Sequence, residues 1–420
     1  MVWATIGHLM EPSTPPSPRL IERQLAQELR AAASEYAVVT LLGPRQSGKT
    51  TLARVCFPDK PWVSLEDPDV RLAAQTDPRG FLAQYPDGLI LDEVQRAPEL
   101  LSYLQGMVDR DARPGRFILT GSHQPRLQEA IAQSLAGRTA VLTLWPLSLA
   151  ELRQTGGSLD AFERIVRGTY PRVERDRLDP ARFYTGYVQT YLERDVRALL
   201  QVRDLTAFQR FVTLLAGRIG QLVNLTALAN DVGVSVPTLR QWLSVLQATY
   251  LVFELPAWSL NVRKRVVKSS KLYFADTGLA AWLLGIETAD QARRDPLRGA
   301  LYENLLIADA LRTLANRGVR AELFFYRDAA GHEVDLLIRR HGRLIPYEIK
   351  SAATFTRDFL KGLRHLKDEL GDALAPGFVL YDGPVALSVE GVRVINPMMT
   401  PDFWPQRSGA GPATAAHADP

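Results

Sequence analysis

Residues 43–50 read Gly43-Pro44-Arg45-Gln46-Ser47-Gly48-Lys49-Thr50, and this octapeptide decides how the rest of the chain is read. It has the spacing G-x-x-x-x-G-K-[ST] of a loop that cradles phosphates. The apolar run AVVTLL (37–42) precedes it and TTLARV (50–55) follows, so the loop joins a strand to a helix. Glycines let successive backbone N–H groups turn inward toward phosphate oxygens. The start of the helix adds its positive dipole end. Lys49 is expected to reach the β- and γ-phosphates of ATP, Thr50 to meet Mg²⁺, and Thr51 to close the nucleotide-binding stretch.

Outward from the loop, short apolar runs alternate with helical patterns: WVSL (62–65), LILD (89–92), FILT (117–120) and AVLTL (140–144). Continuous apolar strands separated by helices predict an α/β fold with a parallel sheet covered on both faces. Ligands of such sheets collect at the carboxyl ends of the strands. Asp92 and Glu93 end one strand, Asp92 to hold Mg²⁺ and Glu93 to polarise the attacking water. Ser122 follows FILT, where it is placed to sense the γ-phosphate; the neighbouring His123 reads as a surface histidine.

Residues 147–200 read as helices, ending with LERDVRALL (192–200). Beyond them LTALANDVG (225–233) stops at Gly233, and SVPTLRQWLSVLQATY (235–250) opens with Ser235 and Pro237, which are helix-start residues. The pair predicts a helix-turn-helix, followed by strands LVFELPAW (251–258) and KLYFAD (271–276). From 298 to 400 the pattern is helix (300–316), strands (322–326, 333–339, 344–351), helix (356–370) and strand (377–381), expected to be a separate α/β unit.

The chain has 420 residues, enough for two or three domains, and 46% hydrophobic residues, ordinary for globular cores. One cysteine, Cys56, excludes an internal disulfide and fits a reducing, cytoplasmic compartment. The start MVWATIGHLMEPSTPPSPRL is not patterned as a secretory signal, and no run approaches the roughly 18 apolar residues of a membrane span. The net charge of +4 permits nucleic-acid binding without demanding it.

GPRQSGKTT (43–51), LILDEVQ (89–95), LTGSHQPRL (119–127), SLAGR (134–138), RGTYPRV (167–173), KLYFADTG (271–278), HEVDLLI (332–338) and PYEIKSA (346–352) together resemble a bacterial and archaeal family of AAA-type ATPases with a C-terminal domain of originally unknown function. Thr169 departs from it, standing where a second glycine is expected. The resemblance covers nearly the whole chain between the tails. It implies an oligomeric ATPase with tails at 1–20 and 406–420, an ATPase domain with helical lid (21–204), a winged helix (205–292) and a restriction-endonuclease-like core (293–405). It also suggests that Arg138 stabilises transition-state charge, in cis or from a neighbouring subunit; a surface ion pair is the other reading.

Two further sites follow. Arg263, Lys264, Arg265, Lys268 and Lys271 place five cations where a wing would be, and Arg240 lies on the second helix of the helix-turn-helix. They are expected to contact DNA, unless the cations form a solvated hairpin. Farther on, Glu348 and Lys350 are two apart and project from one face of a strand. The turn His341-Gly342-Arg343 brings them to Asp335, and Glu303, in the first turn of the preceding helix, can join. Asp335 and Glu348 are expected to hold Mg²⁺ or Mn²⁺, and Lys350 to orient the water. This looks like the acid–x–lysine signature of restriction-like nucleases, with Val334 in place of the usual proline. Two functional readings stand: an ATPase coupled to DNA cleavage, or a DNA-binding or protein-interaction nucleotide switch whose C-terminal core is inactive.

Overall fold

A computed structural model describes residues 20–122, 125–157, 159–196, 204–259 and 270–407. Five strands form the first sheet: β1 (Val38–Gly43), β2 (Trp62–Ser64), β3 (Leu89–Asp92), β4 (Phe117–Ser122) and β5 (Thr139–Thr143). Their order is β2-β3-β4-β1-β5, and all pairings are parallel. The residues of β1 and β3 are buried throughout, as continuous apolar runs require when helices cover both faces. Leu25, Leu29, Leu52 and Ala53 pack with Val39, Leu41 and Ile118 on one face, while Leu100, Leu104 and Leu127 pack with Val38 and Leu91 on the other. The register sets Gly43 opposite Ser122 and Ser64 opposite Asp92, so the ends of these strands meet at one edge.

The lid helices start where the chain supplies caps. Ser148 with Glu151 and Asp160 with Glu163 both form reciprocal capping boxes. Helices Leu205–Ala216, Leu225–Val232 and Val236–Ala248 follow, the last capped by Ser235 with Pro237 in its first turn. An antiparallel pair, β6 (Val252–Leu255) and β7 (Lys271–Phe274), packs beside them, and Leu222 adds a bridge to Lys271.

The second large sheet contains β8 (Leu323–Arg327), β9 (Glu333–Arg340), β10 (Arg343–Lys350), β11 (Phe378–Tyr381), β12 (Leu387–Val389) and β13 (Val392–Ile395), in the order β12-β13-β11-β10-β9-β8. β8, β9 and β10 are antiparallel neighbours, whereas β10 and β11 run parallel. His341 and Gly342 have φ of 48° and 80°, the left-handed pair that a two-residue hairpin turn matched to strand twist needs. Strands β12 and β13 were not expected from the sequence; they extend the sheet by pairing β13 with β11.

The C-terminal unit shares part of its core with the middle of the chain. One hydrophobic core runs from Leu147 and Phe162 through Phe211, Leu246 and Phe274 to Leu305, Leu336, Tyr347 and Trp404. Helix Arg298–Asn316 lies inside it, buried on nearly every face. Because that helix begins at Arg298, Glu303 sits in its second turn rather than its first. Residues 197–200 of the helix expected at 192–200, and cations Arg263, Lys264, Arg265 and Lys268, lie outside the described residues, as do His123, residues 1–19 and residues 408–420.

Candidate functional sites

The loop after β1 ends at Gly48, whose φ of 92° opens helix Lys49–Cys56 from a left-handed residue that a side chain would strain. Lys49 is buried, and its Nζ donates to the carbonyls of Gly43 at 3.1 Å and Pro44 at 2.8 Å. Burial lowers its ammonium to about 8 against the attraction of Glu93 and Asp92. Such a cation is short of negative charge, and phosphate would supply it. The Thr50 hydroxyl donates to both oxygens of Asp92, at 2.9 and 3.0 Å, and Thr120 also donates to Asp92. The expected magnesium pair, Thr50 and Asp92, is therefore in contact. Glu93 has a left-handed backbone (φ 54°), and its carboxylate accepts from Gln95.

Two hydroxyls at this edge, Ser47 Oγ and Ser122 Oγ, are buried with no partner among the described residues. A buried donor without a partner costs about 1–3 kcal/mol, and a ligand oxygen would satisfy it. Arg45 pairs with Glu66 at 3.3 Å and lies over the Tyr191 ring; Gln46 and Thr51 are exposed. Beside Gln46, Ser47 and Gly48 opens a cavity of about 500 Å³, lined also by Ile21, Arg23, Leu52 and Arg172. Its size suits a small organic ligand.

Arg23, which nothing in its sequence surroundings singled out, anchors the loop. Its guanidinium donates to Ser47 O at 2.7 Å, Trp145 O at 2.7 Å and Glu151 at 3.0 Å. Arg138 lies away from the phosphate loop in this fold. It precedes β5, and Thr139 is in register with the β1 segment that opens with Val38, so Arg138 lies at the sheet edge opposite the loop. There it forms a bidentate pair with Asp109.

The second site is assembled by the C-terminal hairpin. Tyr347 stands opposite Leu336, which brings Glu348 beside Asp335. Lys350 Nζ lies 3.2 Å from Asp335 and 2.6 Å from Glu348, and Ile349 N donates to Asp335 at 2.7 Å. Glu303 comes from the long helix, and Asp335 is one source of its electrostatic repulsion. The four residues expected to converge do so.

Lys271 is a correction. Expected to contact DNA with the cations before it, it is instead buried, with Nζ 3.1 Å from Glu303 and 2.6 Å from Glu333. Tyr273, two residues on along β7, also donates to Glu303. Burial alone would lower Lys271 and Lys350, but the surrounding carboxylates carry both above the ordinary lysine range. Burial and repulsion from Asp335 raise Glu303 to about 7 and Glu348 to about 8. Four carboxylates face two ammonium groups here, with the Arg327 guanidinium 3.9 Å from Glu333, leaving one formal negative charge in excess. Glu348 Oε2 is buried and has no partner among the described residues. A divalent cation fits that charge balance and that orphaned oxygen. Arg240, by contrast, is exposed on helix Val236–Ala248.

A parallel sheet with the phosphate loop, Asp92, Glu93 and Ser122 at its carboxyl edge defines a P-loop ATPase domain of the AAA type. Residues 35–153 match the AAA domain family, residues 158–290 a domain of unknown function (DUF8612), and residues 298–400 another (DUF4143). Uncharacterized proteins of Mycobacterium tuberculosis and Mycobacterium bovis are each 34% identical over 339 residues, covering 80% of this chain and 75% of theirs. The chain belongs to their family, an AAA-type P-loop ATPase domain joined to a DUF4143 domain. An uncharacterized protein of Haemophilus influenzae is 22% identical over 294 residues, 66% of this chain and 69% of its own. Among solved structures, the Walker-type ATPase of Pyrococcus abyssi aligns with a TM-score of 0.45 and 15% identity over 63% of this chain and 96% of that one. Among the described residues no helix is long and apolar enough to cross a membrane.

Proposed function

We propose that the protein is a Mg²⁺-dependent ATPase whose nucleotide cycle governs a second, metal-dependent site that cleaves nucleic acid. The observation that carries the second half is the convergence of Glu303, Asp335, Glu348 and Lys350 around a buried carboxylate oxygen without a partner. A cation bound by Asp335 and Glu348 would supply a water of lowered pKa and brace a phosphate. Lys350 would orient that water, and Glu303 would complete the carboxylate set. The order helix, three antiparallel strands, helix and parallel strand is what a restriction-endonuclease-like core requires.

At the first site the loop from Gly43 to Thr51 would hold ATP, with its base in the cavity beside Arg23. Thr50 and Asp92 would hold Mg²⁺, which neutralises phosphate charge when bound. Glu93 would take a proton from water, and Ser122 Oγ would position that water. If Arg138 contributes to hydrolysis, it does so from a neighbouring copy. The helix-turn-helix with its β6–β7 pair fits a winged helix, and exposed Arg240 is its candidate base-reading or phosphate-contacting cation. Because Lys271 lies within the acidic site, the middle of the chain closes it, and nucleotide-driven movement of that segment would open it.

The closing lysine also favours one second reading, a nuclease-like core retained as a buried ion-pair network in a DNA-binding or protein-interaction switch. Labelled duplex DNA incubated with the full chain, Mn²⁺ and ATP beside an Asp335→Ala control separates the two. Cleavage that depends on Asp335 supports the nuclease. Wild-type cleavage no greater than the control supports the switch and sinks the nuclease.

A further inference from the structure

The chain has six histidines, and two of them meet at one carboxylate away from both sites above. Asp328 and His332 lie in the turn between β8 and β9, and His365 lies on helix Lys361–Leu370. His332 Nδ1 stands 2.7 Å and His365 Nε2 2.9 Å from the same oxygen, Asp328 Oδ2. The two imidazoles stack with centroids 3.8 Å apart and planes at 18°. The other oxygen, Oδ1, accepts from His332 N at 2.8 Å, which fixes the carboxylate. One ligand atom from each of the three residues lies within 4.8 Å of the other two.

We propose that Asp328, His332 and His365 form a binding site for a first-row divalent transition cation such as Zn²⁺. The donor set is two imidazole nitrogens and one carboxylate oxygen, which suits that class of metal rather than Mg²⁺ or Ca²⁺. Ligands about 2.1 Å from a tetrahedral Zn²⁺ stand about 3.4 Å apart, so the nitrogen–oxygen separations of 2.7 and 2.9 Å would widen by roughly half an ångström on binding. A shared cation would satisfy both nitrogens and the carboxylate once the two rings turn out of their stack so that each ring plane points at it. The site has room for water as a further ligand, because all three side chains are partly exposed.

The site would act as a clip. His332 precedes Glu333, the partner of Lys271, and Asp335 follows on the same strand. Pinning the turn to helix Lys361–Leu370 fixes the start of the strand that carries the acidic site. Tyr326, at the end of β8, donates to Glu369 of the same helix beside the clip.

The test uses full-length protein stripped with chelator and titrated with Co²⁺ alone, followed by visible absorption, and then with Zn²⁺ by calorimetry. Wild type should give a Co²⁺ ligand-field band that Zn²⁺ displaces. His332→Ala and His365→Ala should each lose that band and the tight Zn²⁺ step, with unchanged far-ultraviolet circular dichroism. Glu348→Gln should keep both, which separates this site from the acidic one. Absence of Co²⁺ or Zn²⁺ binding by wild type would overturn the proposal. So would equal binding by folded histidine variants, or loss of binding in Glu348→Gln alone. His332 is in an exposed turn, so at least that variant is expected to fold.

Discussion

Lys49 carries the largest burden of any single residue, because it is a buried cation whose nearest hydrogen-bond acceptors are the carbonyls of its own loop. Lys49→Ala should lower ATP turnover by at least about 100-fold in a phosphate-release assay, since electrostatic stabilisation of the transferring group is the main catalytic device of this class. Its ammonium, lowered to about 8, predicts a pH effect as well. Bound phosphate favours the charged form, so nucleotide binding above pH 8 should take up a proton and weaken as pH rises; calorimetry in buffers of differing ionisation enthalpy reads this. At the acidic site the shifts run upward instead of downward. Glu303 and Glu348, raised to about 7 and 8, bind protons more tightly folded than unfolded. Their contribution to stability is therefore greatest at low pH and is lost as pH rises through 7 to 8. In chelator, Glu348→Gln should melt with wild type at pH 5 and a few degrees above it at pH 8.5. Added Mg²⁺ should stabilise wild type and not the variant. A variant that melts lower at pH 8.5 would contradict the excess-charge account. Thr169 shows how a local departure is absorbed: its N–H and hydroxyl both donate to Asp276, the hydroxyl bond being one glycine lacks.

Among elements, the phosphate strand, its loop and the acid-tipped β3 were legible in the sequence because their burial is nearly uniform. The β9–β10 hairpin was legible for a different reason: period-two projection and a tight turn suffice to bring Asp335, Glu348 and Lys350 together. Lys271 was misread because it was grouped with the cations before it. The alternation Lys271-Leu272-Tyr273 puts the lysine and tyrosine on one face of β7, and that was the available signal. Strands β12 and β13 were missed because they are short and only partly apolar; their pairing depends on the neighbouring β11. Arg23 had no signal, since its three partners lie 24 to 128 residues away. It fastens the entry of the first helix to the phosphate loop and to the lid. Glu151 is fully buried, so removing its cation leaves an uncompensated charge. Arg23→Ala should cost roughly 3–5 kcal/mol in chemical denaturation and weaken nucleotide binding. A loss under about 1 kcal/mol, the range of an exposed pair, would show that the anchor is not needed.

For the whole molecule, the shared core is the feature with most consequence. Helix Arg298–Asn316 carries Glu303 into the acidic site and, two turns on, Asp309, which accepts from Leu149 N at 2.7 Å and from Trp404 Nε1 at 2.8 Å. Leu149 follows Ser148, whose N–H donates to the same Glu151 that binds Arg23. A buried path of hydrogen bonds thus joins the phosphate loop to the helix of the second site. It is the physical basis proposed for coupling, and it requires two arrangements that nucleotide biases. The most direct test measures phosphate release and DNA cleavage in one reaction with wild type, Lys49→Ala and Glu348→Gln. The account predicts that Lys49→Ala loses both activities, while Glu348→Gln hydrolyses ATP and cleaves nothing. Cleavage by Lys49→Ala at the wild-type rate, or by Glu348→Gln at any comparable rate, would contradict it.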